Sequence, residues 1–349
     1  MNDGRSALMN FLDELPMVEY CCVFGSALHS NNIDESSMVD FILGVEDPFT
    51  WHSENLKMNI DHYASWMMQI GGAWLVSEVA EKIGVGVHFN PFVNWNKKLL
   101  KYGVISTHNL VQDLLNWERF YLCGRLQKPV YQLIDNVKVR EANSVNLHAS
   151  VAAALLLLPP KFSLEDFYSK ICSLSYMGDI RMLFAEDQKK VQKIVQGQFE
   201  LFQSMYKPFV EEFRIKGLLS FSSCNNVLYQ VMQIFIFVDF FFIFYWSMEF
   251  WNQDCCISAT NSLVNFLPRL MQRKMGVILG EEILSSNSGI FEGKISVKCR
   301  EEGARCMKKM IRRRVMSSSA RQAISGFIAA GGVHAVKYLG RKMRKAWNS

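Results

Sequence analysis

The stretch VEYCCVFGSALHSNNIDESSMVDFILGVED, residues 18–47, decides the fold. Residues 18–24 are β-branched, aromatic and cysteine-rich, and residues 38–45 are a second apolar run of the same kind. The pattern predicts two buried strands separated by a polar turn. Gly25 permits a sharp turn and a close backbone approach to a ligand, while Ser26 adds a hydroxyl and an amide, which suits a triphosphate. Asp40, on the second strand, can hold a hard cation through oxygen. A Gly-Ser turn and one strand Asp are also ordinary sheet furniture, so alone they describe packing as well as they describe a nucleotide site.

The chain has 349 residues, 50% hydrophobic and 20% charged, which is too much for one simple core and predicts two domains plus an appendage. Nine cysteines without a CxxC repeat predict buried free thiols and a reducing compartment. The net charge of +5 is distributed unevenly: residues 298–349 hold 14 Lys/Arg against Glu301 and Glu302. The basic charge is therefore a local device suited to an anionic membrane or a nucleic acid. The first 16 residues resemble neither a secretory signal nor an Arg-rich, acid-poor transit peptide, which leaves targeting undecided.

Residues 53–68 have helical spacing, and Trp51-His52 reads primarily as packing and capping, with contact to a base or phosphate as the second reading. Residues 84–93 and 99–106 read as two strands, with Lys101 on the second as a phosphate contact or a solvated edge residue. Ser106 or Thr107 caps a helix running to Phe120, with Leu110, Leu114 and Trp117 on one face. Arg125-Leu126-Gln127-Lys128-Pro129-Val130 closes that helix. The Ala/Leu-rich residues 146–158 form a helix stopped by Pro159-Pro160, and Ser163 opens the next one. In residues 175–190, Asp179 and Arg181 share a face if the chain is extended, fit for a cation and a phosphate oxygen or for a salt-bridge cluster.

Residues 226–251 are the anomaly. Their length suits a membrane span, but Asp239 near the midplane, the β-branched and aromatic composition and the absence of Lys/Arg anchors argue against one. A hairpin or an insertion in the chain is the alternative. In the tail, Ala304, Met307, Ile311 and Val315 line one face of a helix over 302–315. A second helix over 319–347 sets Ile324, Ile328, Val336, Leu339, Met343 and Trp347 against Lys337, Arg341, Lys342, Arg344 and Lys345. This is the pattern of a helix in a lipid interface, although packing on its own domain or binding RNA gives the same periodicity.

Taken in order, FGS, MVDFILGVEDPFTWHSENLKMNIDHY, KYGVISTHNLVQDLLNWERFYLCGRLQKPV, ALLLLPPKFSLEDF and SYMGDIRMLFAEDQKKVQKIV resemble the mitochondrial translocator assembly and maintenance protein family, the mitochondrial CDP-diacylglycerol synthases. The resemblance covers residues 17–215 and returns in 258–347. It implies an α+β fold: a nucleotidyltransferase-type mixed-sheet core over 1–105, a helical winged-helix-like region over 106–222 with 175–190 reaching the active site, a hydrophobic insertion over 223–257, and a basic membrane-associating tail over 258–349. It implies a phosphatidate cytidylyltransferase that joins CTP to phosphatidic acid with Mg²⁺, a precursor step for cardiolipin, on the matrix side of the mitochondrial inner membrane. Gly25 and Ser26 carry over as the phosphate cradle and Asp40 as the first metal-binding acid. The superfamily's second acid, two residues on, is replaced here by Ile42. Asp179 is then the first candidate for a second metal ligand, ahead of Glu46, Asp47 and Asp187, while Lys101 and Arg181 are expected on phosphate. A nucleotidyltransferase acting on RNA or a small metabolite, and a catalytically inactive membrane adaptor, are the competing classes.

Overall fold

The computed structural model describes residues 2–25, 38–96, 98–184, 189–222, 250–280 and 295–331. The chain forms two compact units, each discontinuous in sequence. The first comprises residues 1–146, 175–198 and 311–349, and the second residues 147–174 and 199–310. Residues 106–146 and 175–190 thus fall with the first strands. Ser26, Asp187, the apolar run 231–248 and the basic residues after Gly331 lie outside the described residues.

The first unit is built on a five-stranded mixed sheet. Its strands are β1 (Tyr20–Phe24), β2 (Val39–Val45), β3 (His88–Trp95), β4 (Lys98–Ser106) and β5 (Tyr131–Ile134), in the order β3-β4-β2-β1-β5. β1 runs antiparallel to β2 with Phe24 opposite Asp40, and β2 runs parallel to β4 with Asp40 opposite Lys101. Alternation along the strands then separates two faces. Cys21, Val23, Phe41, Leu43, Leu100, Tyr102 and Val104 turn to one core with Phe11 of α1 (Asn2–Leu12) and Trp51 of α2 (Pro48–Met58). Phe24, Asp40 and Lys101 lie on the other face. The parallel β2–β4 pair requires a long crossover. It is supplied by α2, a single 3₁₀ turn, α3 (Ser65–Ile70), α4 (Gly72–Glu78) and a π-helical turn over Val79–Ile83.

The helix expected over 53–68 begins earlier and breaks, because Asp47 caps α2, accepting from the Thr50 amide at 2.8 Å, and Pro48 sits in its first turn. Trp51 and His52 are packing residues, at 4% and 1% exposure. His52 belongs to a buried polar network in which Asn55 Nδ2 donates to the Tyr63 and Tyr102 hydroxyls, each at 2.8 Å. His52 Nδ1 lies 2.8 Å from Tyr63 Oη, and His88 Nε2 lies 3.0 Å from Asn90 Oδ1. Burial holds both imidazoles neutral: it pushes His52 well below the usual range and His88 down to about 4. The unfolded chain protonates these rings first as pH falls, so stability is complete above about 6.5 and is lost toward about 4. For His88 alone the loss is on the order of 3 kcal/mol. Urea unfolding across that interval should show this slope, and His88→Gln should flatten it; equal slopes would mean that the ring is protonated in the fold.

α5 (Thr107–Asn116) is capped by Ser106 and ends at Trp117, whose φ of +54° closes the helix before the expected Phe120. Buried Asp113 then accepts from the amides of Arg119, Phe120 and Cys123 at 2.8, 3.0 and 3.2 Å, shaping the loop that leads into α6 (Cys123–Leu126).

The second unit contains a three-stranded antiparallel sheet of β6 (Lys161–Ser163), β7 (Leu219–Ser222) and β8 (Phe250–Gln253), ordered β6-β8-β7. Phe250 and Trp251, at the end of the anomalous apolar run, pair with both neighbouring strands of this sheet. α7 (Val137–Leu157) and α8 (Leu164–Leu174) occupy the expected places. Ser163 and Asp166 exchange hydrogen bonds at the start of α8, both at 3.1 Å. α9 (Arg181–Phe184) and α10 (Lys190–Gly197) belong to the first unit, and α11 (Phe199–Ile215) to the second. α12 (Ile257–Asn265) and α13 (Arg269–Leu279) stand where a linker was expected.

In the described part of the tail, one helix, α14 (Arg300–Ala330), runs through the first expected helix and into the second, and the face of Met307, Ile311 and Val315 packs on protein, at 0%, 0% and 3% exposure, as the packing alternative has it. Helical periodicity marks a face that avoids water and cannot say whether core or lipid covers it. Among the described residues, no helix is long and apolar enough to cross a membrane.

Candidate active site

Three of the residues singled out in the sequence meet where β1 ends and β2 and β4 begin. Gly25 turns with φ of +103°, and a Cβ there would stand 3.0 Å from Asp40 Oδ2. Asp40 Oδ1 is buried without a hydrogen-bond partner, 3.7 Å from Lys101 Nζ. A carboxylate oxygen left open beside a glycine that presents no side chain fits a small hard cation whose remaining ligands are phosphate oxygens and water. Among the described residues, Asp40 is the only one of the proposed metal ligands presented in this way. Ile42 lies on the same face but is 1% exposed and apolar. Glu46 and Asp47 stand past the other end of β2, roughly 20 Å along the strand. Among the described residues, no three His, Cys, Asp or Glu side chains are grouped to hold a metal by themselves.

Asp179 pairs with Arg181, the salt-bridge reading of the two that the sequence offered. Residues 178–181 are a turn rather than an extended run, and the Asp179 carboxylate, 1% exposed, is engaged by Arg181. Arg181 Nε donates to both carboxylate oxygens at 2.9 and 3.1 Å, and its amide donates to Oδ1 at 2.9 Å. A carboxylate used in this way aims a guanidinium and has little left for a cation. The turn is held in place by α14. Gly178, with φ of +84°, packs against Arg312, and the Ile180 amide donates to Ser319 Oγ at 3.2 Å.

Arg181 faces a pocket lined by Tyr121, Arg125, Lys128, Ser175, Tyr176, Asp179, Ser318 and Ser319. The charges on its walls are three cations and one acid already paired with one of them. Lys128 is buried, with Nζ 2.7 Å from Ser175 Oγ and 5.2 Å from the Tyr176 ring centroid. The pocket adjoins the Asp40 corner through two lines of contact. Arg125 lies 4.4 Å over the ring of Phe24, the strand partner of Asp40. Lys101 lies 4.3 Å over Phe89, which meets Tyr121 at 6.4 Å, and Tyr121 in turn lies 6.0 Å from the Arg181 guanidinium. A larger cavity of about 330 Å³ opens at the opposite end of β2, but Glu46, Asp47 and Glu81 line it and make it a poor host for a polyphosphate.

Arg125, Lys128 and Tyr121 were not singled out as site residues in the sequence. The available signal was the spacing of Arg125 and Lys128, which places two cations on one side of a short helical turn.

The comparisons with known proteins agree along nearly the whole chain. The family profile described as mitochondrial phosphatidate cytidylyltransferase matches residues 8–345. A mouse protein of that name is 32% identical over 98% of this chain and 94% of its own length. A zebrafish protein of the same name is 34% identical over 89% of this chain and 84% of its own, and one from Schizosaccharomyces pombe is 32% identical over 93% and 77%. The chain belongs to the mitochondrial phosphatidate cytidylyltransferase family.

Proposed function

We propose that this chain transfers the cytidylyl group of CTP to phosphatidic acid, giving CDP-diacylglycerol and pyrophosphate, with Mg²⁺ held at Asp40. The observation that carries this reading is the near full-length match to cytidylyltransferases. The Asp40 corner and its neighbouring cationic pocket supply the chemistry. A phosphatidate oxygen attacks the α-phosphorus of CTP in line, a new phosphoanhydride P–O bond forms, the bond between the α-phosphorus and its bridging oxygen breaks, and pyrophosphate leaves with the electron pair. Gly25 lets the backbone approach the triphosphate, and Lys101 balances charge beside Asp40. Arg181, aimed by Asp179, and Arg125 hold phosphate oxygens in the geometry of attack. Bound Mg²⁺ supplies further neutralisation of the charge that develops on the leaving group.

The mixed sheet of the first unit supports a nucleotidyltransferase-type core, and the three-stranded sheet with helices in the second supports a winged-helix-like unit. The mitochondrial names of the relatives support a place in mitochondria, which we propose to be the matrix side of the inner membrane with peripheral attachment.

The test is formation of CDP-diacylglycerol from labelled CTP and phosphatidate by purified full-length protein. Product should require Mg²⁺ and disappear with EDTA. Folded protein that makes no CDP-diacylglycerol but transfers nucleotide to RNA would replace this reading.

A further inference from the structure

The C-terminal part of α14 and the segment from α3 through the π-helical turn are packed together along one side of the first unit. Arg321 Nε donates to the Ile83 carbonyl at 3.0 Å, and its NH2 group donates to the carbonyl of Lys82 at 2.9 Å. One turn on, Ser325 packs beside Gly84. Ile328 packs against the cluster of Tyr63, Met67, Val76 and Val79, and a Cβ at Gly331 would stand 3.8 Å from the Trp66 ring. Ile328 was expected to face lipid and instead faces protein. The outward residues of the same two elements are large and apolar: Ile70 is 72% exposed, Trp74 59%, Ile324 55%, Phe327 52% and Ile83 39%.

Single exposed apolar residues need no explanation. Five of them on two elements that share one underlying cluster, including a Trp and a Phe, form a surface that asks for a partner. Its chemistry selects one. Trp is a residue of the membrane–water boundary, with an apolar body and a polar edge. Lys82, ion-paired with Glu78, stands beside the row with its side chain 75% exposed. The described chain leaves this surface at Gly331, and the 18 residues that follow contain five Lys/Arg and no Asp or Glu. An exposed apolar row that includes Trp74, followed in the chain by a polybasic sequence after Gly331, matches an anionic lipid surface.

We infer that Ile70, Trp74, Ile83, Ile324 and Phe327 form a bilayer-docking face, so that the folded first unit itself, and not only the polybasic segment, rests on lipid. The inference builds on the cytidylyltransferase reading, because an acceptor that resides in a bilayer must be collected there.

The test compares full-length protein with the double variant Ile70→Ser/Trp74→Ser and, on the other element, with Phe327→Ser. Both change exposed side chains, and unfolding temperatures should stay at the wild-type value. Co-flotation with phosphatidylcholine vesicles containing phosphatidate should weaken at least about tenfold in the double variant, since two large apolar side chains no longer leave water. KM for vesicle-borne phosphatidate should rise in parallel, while turnover of a short-chain phosphatidate dispersed as monomers should remain unchanged. Undiminished flotation of both variants would overturn the inference. So would a fall in solution mass with flotation unchanged, which would make the face a contact between two copies of this chain. If wild-type protein makes no CDP-diacylglycerol from the monomeric substrate, the cytidylyltransferase reading fails, and flotation still decides the docking face.

Discussion

Asp40→Asn is expected to lower the rate of CDP-diacylglycerol formation at least about 1,000-fold, the scale on which a preorganised electrostatic element of phosphoryl transfer is lost. The substitution keeps the shape of the side chain and removes its charge. Asp40 is partly exposed at the start of β2 and contributes no hydrogen bond from Oδ1 to the fold, so unfolding temperature should change little. What changes is the one open carboxylate beside Gly25, together with the charge partner of Lys101 at 3.7 Å. Raising Mg²⁺ should not restore the rate, because the amide oxygen is a poorer ligand for a hard cation. Measurements of kcat and of Mg²⁺ dependence, with folding checked by melting, decide the matter. A variant that keeps activity within about tenfold of wild type would remove Asp40 from the metal site and with it the proposed arrangement of the centre.

The absence of an acid at position 42 has a physical consequence. Ile42 is buried against Cys22 of β1, so it belongs to the packing of the sheet and leaves no space for a ligand. Among the described residues Asp40 is the one carboxylate open at this corner, and a cation held by it would complete its shell with substrate phosphates. The neighbouring cations then matter more, since they hold those phosphates in place. In the proposed site, the pocket with Arg125, Lys128 and Arg181 would do that holding.

Much of the sheet was legible because its information is local. The apolar runs before Gly25 and after Met38 became β1 and β2, the pair over 84–106 became β3 and β4, and Ser106 and Ser163 opened their helices as hydroxyl caps should. Gly25, Asp40 and Lys101 could be named because glycine, acid and lysine stand out within apolar strands. The rest depended on contacts across long separations. Nothing in the spacing of Asp113 shows that its carboxylate gathers three amides from the next loop, or that Arg125 will stack on Phe24. The amphipathic face of α14 was visible, but its covering was not, because core and lipid demand the same periodicity. His52 illustrates the converse: the plainer reading, a packed core residue, is the one the fold adopts.

Asp179→Asn and Arg181→Gln should each lower the rate roughly 10–100-fold, the cost of letting a phosphate-binding group drift by about an ångström. The double variant should be no worse than the poorer single variant, because the two side chains act as one unit and their losses are not additive. The reason lies in the geometry. Asp179 is buried and its carboxylate receives four hydrogen bonds of 2.5 to 3.1 Å from Arg181. Removing its charge releases the guanidinium that faces the pocket, and removing the guanidinium strands a buried carboxylate with nothing to orient. In both variants KM for CTP or phosphatidate should rise while the Mg²⁺ concentration giving half-maximal rate stays at the wild-type value. If Asp179 were instead a metal ligand, Asp179→Asn would shift that concentration upward and Arg181→Gln would not. A Mg²⁺ titration of the two single variants therefore separates the positioning role from the ligand role. The double-mutant cycle then shows how far the pair acts together: full additivity would mean that Arg181 finds its place without Asp179, against the geometry of the turn at residues 178–181.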